Sequence, residues 1–204
     1  MNFLAHIYLS NDLPKIMVGN FIGDFVKGRN LLEQFEPDIA KGIELHRIID
    51  AFTDTHPVVR QSKIKLRAKY GHYSAVIVDV FYDHFLAKFW TDYHSVLLPV
   101  YADKVYQIIE THRPILPQEV KHMLPHMIKG NWLVNYVTLE GIEQALTGLA
   151  RRTRYESKME QSVNELEEFY PEFKQEFQSF FPELKLHAEE FLKAADSQQH
   201  TADS

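Results

Sequence analysis

The stretch VIVDVFYDHFLAKFW, residues 76–90, is apolar almost all round. A helix that is hydrophobic on every face belongs in the middle of a bundle rather than on its surface. We therefore read Ser74 to Tyr93 as the central helix. No strand-turn-strand pattern competes with helical periodicity elsewhere, so the chain is expected to be all-α, a single-domain multi-helix bundle. Two carboxylates sit inside this run. Asp79 is flanked by Val78 and Val80, and Asp83 follows Tyr82 and precedes His84. An ionised carboxylate among apolar side chains is costly unless it is paired or bound to a metal.

Upstream lies ELHRIIDAFTD, residues 44–54, in which His46, Asp50 and Asp54 are spaced by four and four. Each such step turns a helix by about 40°, so His46 and Asp50 share one face and Asp54 falls at the mouth of the next turn. Asp79 and Asp83 repeat the step, and His6 and Asp24 sit on two N-terminal helices. One buried His or Asp is more often a hydrogen-bonded core residue than a ligand. Asp54 could be only a cap, and Asp24 could pair with Lys27 or Arg29. The coincidence of two i,i+4 pairs on apolar helices favours a metal site. A mixed imidazole and carboxylate set suits Zn, Mn, Fe or Ni.

A weaker constellation is Glu119, His122 and His126. It has one Glu-x-x-His where di-iron bundles use two, and Pro125 interrupts the helix between the histidines. It reads as surface. No Walker loop, GxGxxG, GxSxG or HExxH is present.

The remaining elements follow from punctuation. Residues 1–9 form a short helix. Pro14 opens a second, reaching about Lys27, and Gly28 to Pro37 is a loop. A third helix runs from Pro37 to about Phe52, with Thr55 as a cap before Pro57 opens the fourth, to about Lys69. Leu98–Thr111, Pro117 to about Met123, Leu133–Tyr136 and Leu139–Arg151 are further segments. Residues 156–181 are expected as one long amphipathic helix with Phe169, Phe173 and Phe177 on its buried side, followed by Glu183–Lys193. The domain spans 1–193, and 194–204 is expected to be a disordered tail.

The 204 residues contain no cysteine, which excludes disulfides, thiolate zinc sites and a Cys nucleophile. The N-terminus lacks a basic lead-in and a small-residue cleavage site, so it does not read as a signal peptide. With no run of about 18 apolar residues, no membrane span is expected; a cytoplasmic location is. The net charge of −6 is uneven: 12 acids face 4 lysines from Glu156 onward, leaving 16 acids against 18 basic residues before it. Arg60, Lys63, Lys65, Arg67 and Lys69 run without an acid among them, and Arg151, Arg152 and Arg154 form a second basic cluster. Solvated helix faces explain such stretches by default; the functional reading is a docking surface for an acidic partner. No nucleic-acid motif accompanies them.

Taken together, MNFLAHIYLS, GNFIGDFVKG, GIELHRIIDAFTD with HPVVR, VDVFYDHFL and WLVNY resemble the acyl carrier protein phosphodiesterase family, a divergent branch of the HD-domain metal phosphohydrolases. The resemblance covers Met1 to about Arg154. It implies an HD-domain-like helical fold, a divalent metal of the Mn²⁺ type (with Mg²⁺, Fe²⁺ or Zn²⁺ also compatible), and acyl carrier protein as substrate. The implied reaction is hydrolysis of the phosphodiester between 4′-phosphopantetheine and a carrier serine. His6, Asp24, His46, Asp50, Asp79 and Asp83 become the implied metal and catalytic residues, with Asp54 and His84 as neighbours. Arg47 and Arg60 become implied contacts to phosphate or carrier, and Lys63, Lys65 and Arg67 of the basic run are expected to join them in docking the acidic carrier. One departure stands out: ordinary HD proteins place His before Asp as an adjacent ligand pair, whereas here the adjacent pair is Asp83-His84. Two rival readings remain, a phosphohydrolase of small nucleotides sharing the same metal site, and a metal-free helical binding module.

Overall fold

The structure is a computed structural model that describes the backbone of residues 3–202 and the side chains of 3–194. Among the described residues there are eleven α-helices and no strand. In chain order they are α1 (Phe3–Tyr8), α2 (Pro14–Ile22), α3 (Pro37–Thr55), α4 (Pro57–Tyr70), α5 (Ser74–Lys88) and α6 (Leu98–Thr111). Then come α7 (Gln118–Lys129), α8 (Trp132–Asn135), α9 (Leu139–Ala150), α10 (Val163–Glu168) and α11 (Tyr170–Ala202). The all-α expectation holds. Of the tail expected to be disordered at 194–204, the backbone through Ala202 continues α11 as helix, and the last two residues lie outside the described ones.

Helix α5 is central for the reason its sequence gives. Every residue from Val80 to Ala87 is buried, and α1, α4, α9 and α11 all pack on it. The stripe Phe173, Phe177, Phe180, Phe181, Leu184 and Ala188 puts the wet side of α11 outward and its aromatic side onto this core. Phe177 stacks on Phe85 and meets Tyr82 edge-on; truncating one such ring to Ala costs about 3–5 kcal/mol.

The pair α2–α3 decides where the site forms. Gly19 and Gly42 lie at their crossing. A Cβ on Gly19 would stand 2.1 Å from the Ile39 carbonyl oxygen, and one on Gly42 would stand 2.2 Å from that of Ile16. Only glycine allows backbones this close, and the approach brings Asn20 against His46.

Several helix ends differ from the sequence reading. Helix α2 stops at Ile22 rather than Lys27 and tightens into a 3₁₀ turn, Gly23–Phe25. Helix α3 continues to Thr55, because the hydroxyls of Thr53 and Thr55 bond back to Ile49 and Ala51 carbonyls instead of breaking the helix. The cap of α4 is therefore His56, whose Nδ1 accepts from the Val58 N–H, and not Thr55. Helix α5 ends at Lys88 and passes into a 3₁₀ turn at Trp90–Asp92. Helix α7 runs through Pro125 and α11 through Pro182. Both prolines are exposed, so the carbonyl each deprives of a partner is free to meet water. The helix expected over 156–181 is broken at Phe169 into α10 and α11, with Pro171 in the first turn, where its missing N–H is not needed.

Candidate metal centre

Asn20, in the last turn of α2, organises the site. Its Nδ2 donates to the His6 carbonyl at 2.6 Å and to Ser10 Oγ at 3.0 Å, so its Oδ1 is the acceptor that faces His6 Nδ1 at 2.8 Å. His6 Nδ1 therefore carries the hydrogen. The backbone carbonyl of the same Asn20 accepts from His46 Nδ1 at 2.8 Å. Both imidazoles are thus held by their Nδ1–H, which turns both Nε2 atoms the same way. The rings lie 4.0 Å apart and nearly parallel. Gly23 permits this: a Cβ there would fall 2.3 Å from the His46 ring.

The two Nε2 atoms converge on Asp50. His6 Nε2 is 3.3 Å from Asp50 Oδ1, and His46 Nε2 is 3.2 Å from Asp50 Oδ2 and 3.1 Å from Asp24 Oδ1. The histidine side chains are 5% exposed, whereas those of Asp24 and Asp50 are 34% and 51% exposed. Imidazoles make the floor and carboxylates the rim of a solvent-facing pocket.

Two Nε2 lone pairs aimed at two carboxylates repel unless a cation intervenes. Without a metal the cation is a proton on His46: burial opposes it, but hydrogen bonds to Asp24 and Asp50 raise its pKa to about 9. Burial and the neighbouring His46 charge together lower the pKa of His6. Burial would raise both carboxyls, yet the histidine contacts outweigh it and hold Asp24 and Asp50 below the ordinary range. His6, His46 and Asp50 each offer a ligand atom within 4.8 Å of the others. Donors each roughly 2.0–2.2 Å from one ion would stand about 3 Å apart. The residues fit a divalent cation of the N,O-preferring kind.

The remaining expected residues are placed differently. Both oxygens of Asp83, which is fully buried, accept from backbone N–H groups of α1, Leu4 and Ala5, each at 2.9 Å. Asp83 anchors the helix that carries His6 and does not join the cluster. His84 turns away as well, donating from Nδ1 to the Tyr136 carbonyl and meeting the Tyr170 hydroxyl at Nε2. Asp79 lies within electrostatic reach of Asp50, and burial raises its pKa to about 6. Asp54 is exposed and pairs with Lys63 at 2.8 Å. Glu119, His122 and His126 are exposed and form no ligand group among the described residues.

The basic residues of α4 divide between two faces. Arg60, Lys63 and Arg67 line one open cleft with Asp54, Ile64 and His72. Lys65 instead points to α11, where it pairs with Glu176, and Lys69 pairs with Glu165 of α10. Arg47 donates to the carbonyls of Gly28 and Val26, tying down the loop after Asp24 rather than facing solvent with the others. Asn20, Ser10 and Gly23 escaped the sequence reading: an amide, a hydroxyl and a glycine carry no ligand spacing.

The chain matches the family model described as acyl carrier protein phosphodiesterase over residues 1–184. It is similar to curated acyl carrier protein phosphodiesterases from several bacteria. The one from Photorhabdus laumondii is 33% identical over 174 residues, covering 85% of this chain and 87% of its own. That from Yersinia enterocolitica is 31% identical over 178 residues, covering 87% and 92%. An Escherichia coli relative is 34% identical over 154 residues, 74% and 79% of the two chains. No solved structure matches. A family match across nine-tenths of the sequence places this chain in the acyl carrier protein phosphodiesterase family.

Proposed function

We propose that the chain hydrolyses the phosphodiester joining 4′-phosphopantetheine to a serine of holo-acyl carrier protein, giving apo-carrier and 4′-phosphopantetheine. His6, His46 and Asp50, with Asp24 beside them, would hold the divalent cation, Mn²⁺ first among candidates. The observation that carries this reading is the pair of imidazoles whose Nδ1–H groups are both committed to Asn20, leaving both Nε2 atoms facing Asp50. The relatives' names supply the substrate.

When bound, the ion supplies charge neutralisation at a phosphoryl oxygen and a lowered pKa for adjacent water. The chain's own residues do the rest. The buried histidines fix the floor, and Asp24 and Asp50 at the rim orient an attacking water by accepting its hydrogens. Water oxygen bonds to phosphorus, its proton passing to solvent, as the bond from phosphorus to the serine oxygen breaks. Asp79, half-buried and within electrostatic reach of Asp50, has its carboxyl pushed up to about 6 by burial and would be the group to protonate the departing serine oxygen. Arg60, Lys63 and Arg67, one helix beyond Asp54, offer the acidic carrier a docking face.

The test is incubation with holo-carrier and Mn²⁺, following the carrier's mass. Loss of the phosphopantetheine mass, abolished by chelation and restored by Mn²⁺, is expected. Asp50→Ala should end turnover while the circular dichroism remains helical. A carrier whose mass never changes with any of Mn²⁺, Mg²⁺, Fe²⁺ or Zn²⁺ would overturn the reading.

A further inference from the structure

A second concavity lies between α1, α8 and α9, away from the basic cleft. It is a cleft partly open to solvent that encloses about 90 Å³. Phe3, Ala145 and Leu149 give it apolar walls, and Trp132, Tyr136 and Arg152 bring polar groups to it.

Two features mark it as built for a ligand. Tyr136 is 3% exposed, yet its hydroxyl finds no hydrogen-bond partner among the described residues. Buried phenols ordinarily have one. The indole N–H of the half-buried Trp132 likewise has none, and no acid pairs with Arg152 among the described residues. The lining thus holds one buried donor without a partner, Tyr136, beside the half-buried Trp132 and the exposed Arg152. The cleft also has unfilled room, since a Cβ on Gly148 in its lining would meet nothing within 4 Å.

Its place in the fold connects it to the cation site. Phe3 and His6 are three residues apart on α1, so they share a face about one turn apart. Phe3 also packs on Phe21, the neighbour of Asn20. Tyr136 lies in the field of Asp83, which anchors α1.

Resting on the function proposed above, we infer that this cleft seats the pantetheine arm of the carrier. That arm bears two amide carbonyls, matched by the donors of Tyr136, Trp132 and Arg152. Its gem-dimethyl group and methylenes match Phe3, Ala145 and Leu149. Seating the arm here would present its phosphate end toward His6.

The test uses free pantetheine as the probe and Trp132 as the reporter; the other tryptophan, Trp90, is buried with its N–H bonded to the Val96 carbonyl. Titrating pantetheine into the metal-loaded protein should change the fluorescence saturably. Gly148→Met, which fills the cleft from a helical position, should weaken the response about tenfold and raise KM for holo-carrier to match. Tyr136→Phe should weaken it several-fold without lowering Tm, because the lost hydroxyl bonds nothing in the free protein. No saturable response, a response unaltered in both variants, or competition by octanoate alone would overturn the inference. Pantetheine binding without hydrolysis of holo-carrier would instead sink the proposed reaction and leave the cleft assignment standing.

Discussion

Asn20 is the residue on which the centre turns, and it is the one that its own spacing could not reveal. A histidine four residues before an aspartate announces a shared helix face, so His46 and Asp50 were legible. The residue that holds His6 Nδ1 by its side-chain amide and His46 Nδ1 by its backbone carbonyl has no such signature. Replacing it by Ala should leave the His6 Nδ1–H short of an acceptor and the Ser10 oxygen short of a donor in a buried site, with only the Ser10 hydroxyl still donating to the His6 carbonyl. We expect a loss of about 2–4 kcal/mol by denaturant titration and roughly 10–100-fold weaker metal binding by calorimetry. The same site sets a pH signature. His46 has its folded pKa raised from 6.5 to about 9. Its contribution to the metal-free protein is fully present below pH 6.5 and lost as pH rises through 9, so the apo Tm should fall across that window. Metal binding must displace the same proton, so affinity should increase toward pH 9 with measurable proton release. A pH-independent affinity would remove His46 from the ligand set.

At the scale of elements, two glycines on α2 and its turn separate fold from site. Gly19→Ala drives a Cβ into the Ile39 backbone carbonyl, which cannot yield, so α2 and α3 must part. Overpacking of this kind costs about 1–3 kcal/mol or more, and metal binding should go with it. Gly23→Ala meets the Cβ of His46 at 2.5 Å as well as its ring. The Cβ is fixed to α3, so the short 3₁₀ turn and the ring must both shift; metal affinity should collapse, with a stability loss confined to this turn rather than spread along the α2–α3 crossing, and denaturant and metal titrations on both variants check the contrast. Helix interiors were readable here because buried residues recur at helical spacing along α3, α5 and α11. Helix ends were not. Pro125 and Pro182 fall on exposed faces, where a lost backbone bond is replaced by water, and the sequence does not say which face a proline takes until the packing is known. Asp83 misled for a related reason: an aspartate buried in an apolar helix is as well satisfied by two N–H groups of α1 as by a metal.

Across the whole molecule, charge is sorted by the C-terminal helices. The five basic residues of α4 form one run in the sequence, but Glu176 and Glu165 draw Lys65 and Lys69 toward α11 and α10. Glu183 takes His56 in the same way. The acids after Glu156 thus have a structural use: they neutralise the back of α4 and leave Arg60, Lys63 and Arg67 to define the open face around Ile64, which is 60% exposed. Counting charges could find the cluster but not divide it, because the division needs α10 and α11 in place. Reversing Arg60, Lys63 and Arg67 together should raise KM for holo-carrier several-fold and flatten its dependence on salt, since exposed pairs are worth only about 0.2–1 kcal/mol each and act as a field. Lys65→Glu should behave in the opposite way. It places a second carboxylate against Glu176, whose side chain is 13% exposed, so Tm should drop while the salt dependence of KM stays as in the parent. Kinetics at several ionic strengths beside a melting curve distinguish the two. If Lys65→Glu shifted the salt dependence and the triple reversal did not, the carrier would dock on the α11 side of α4.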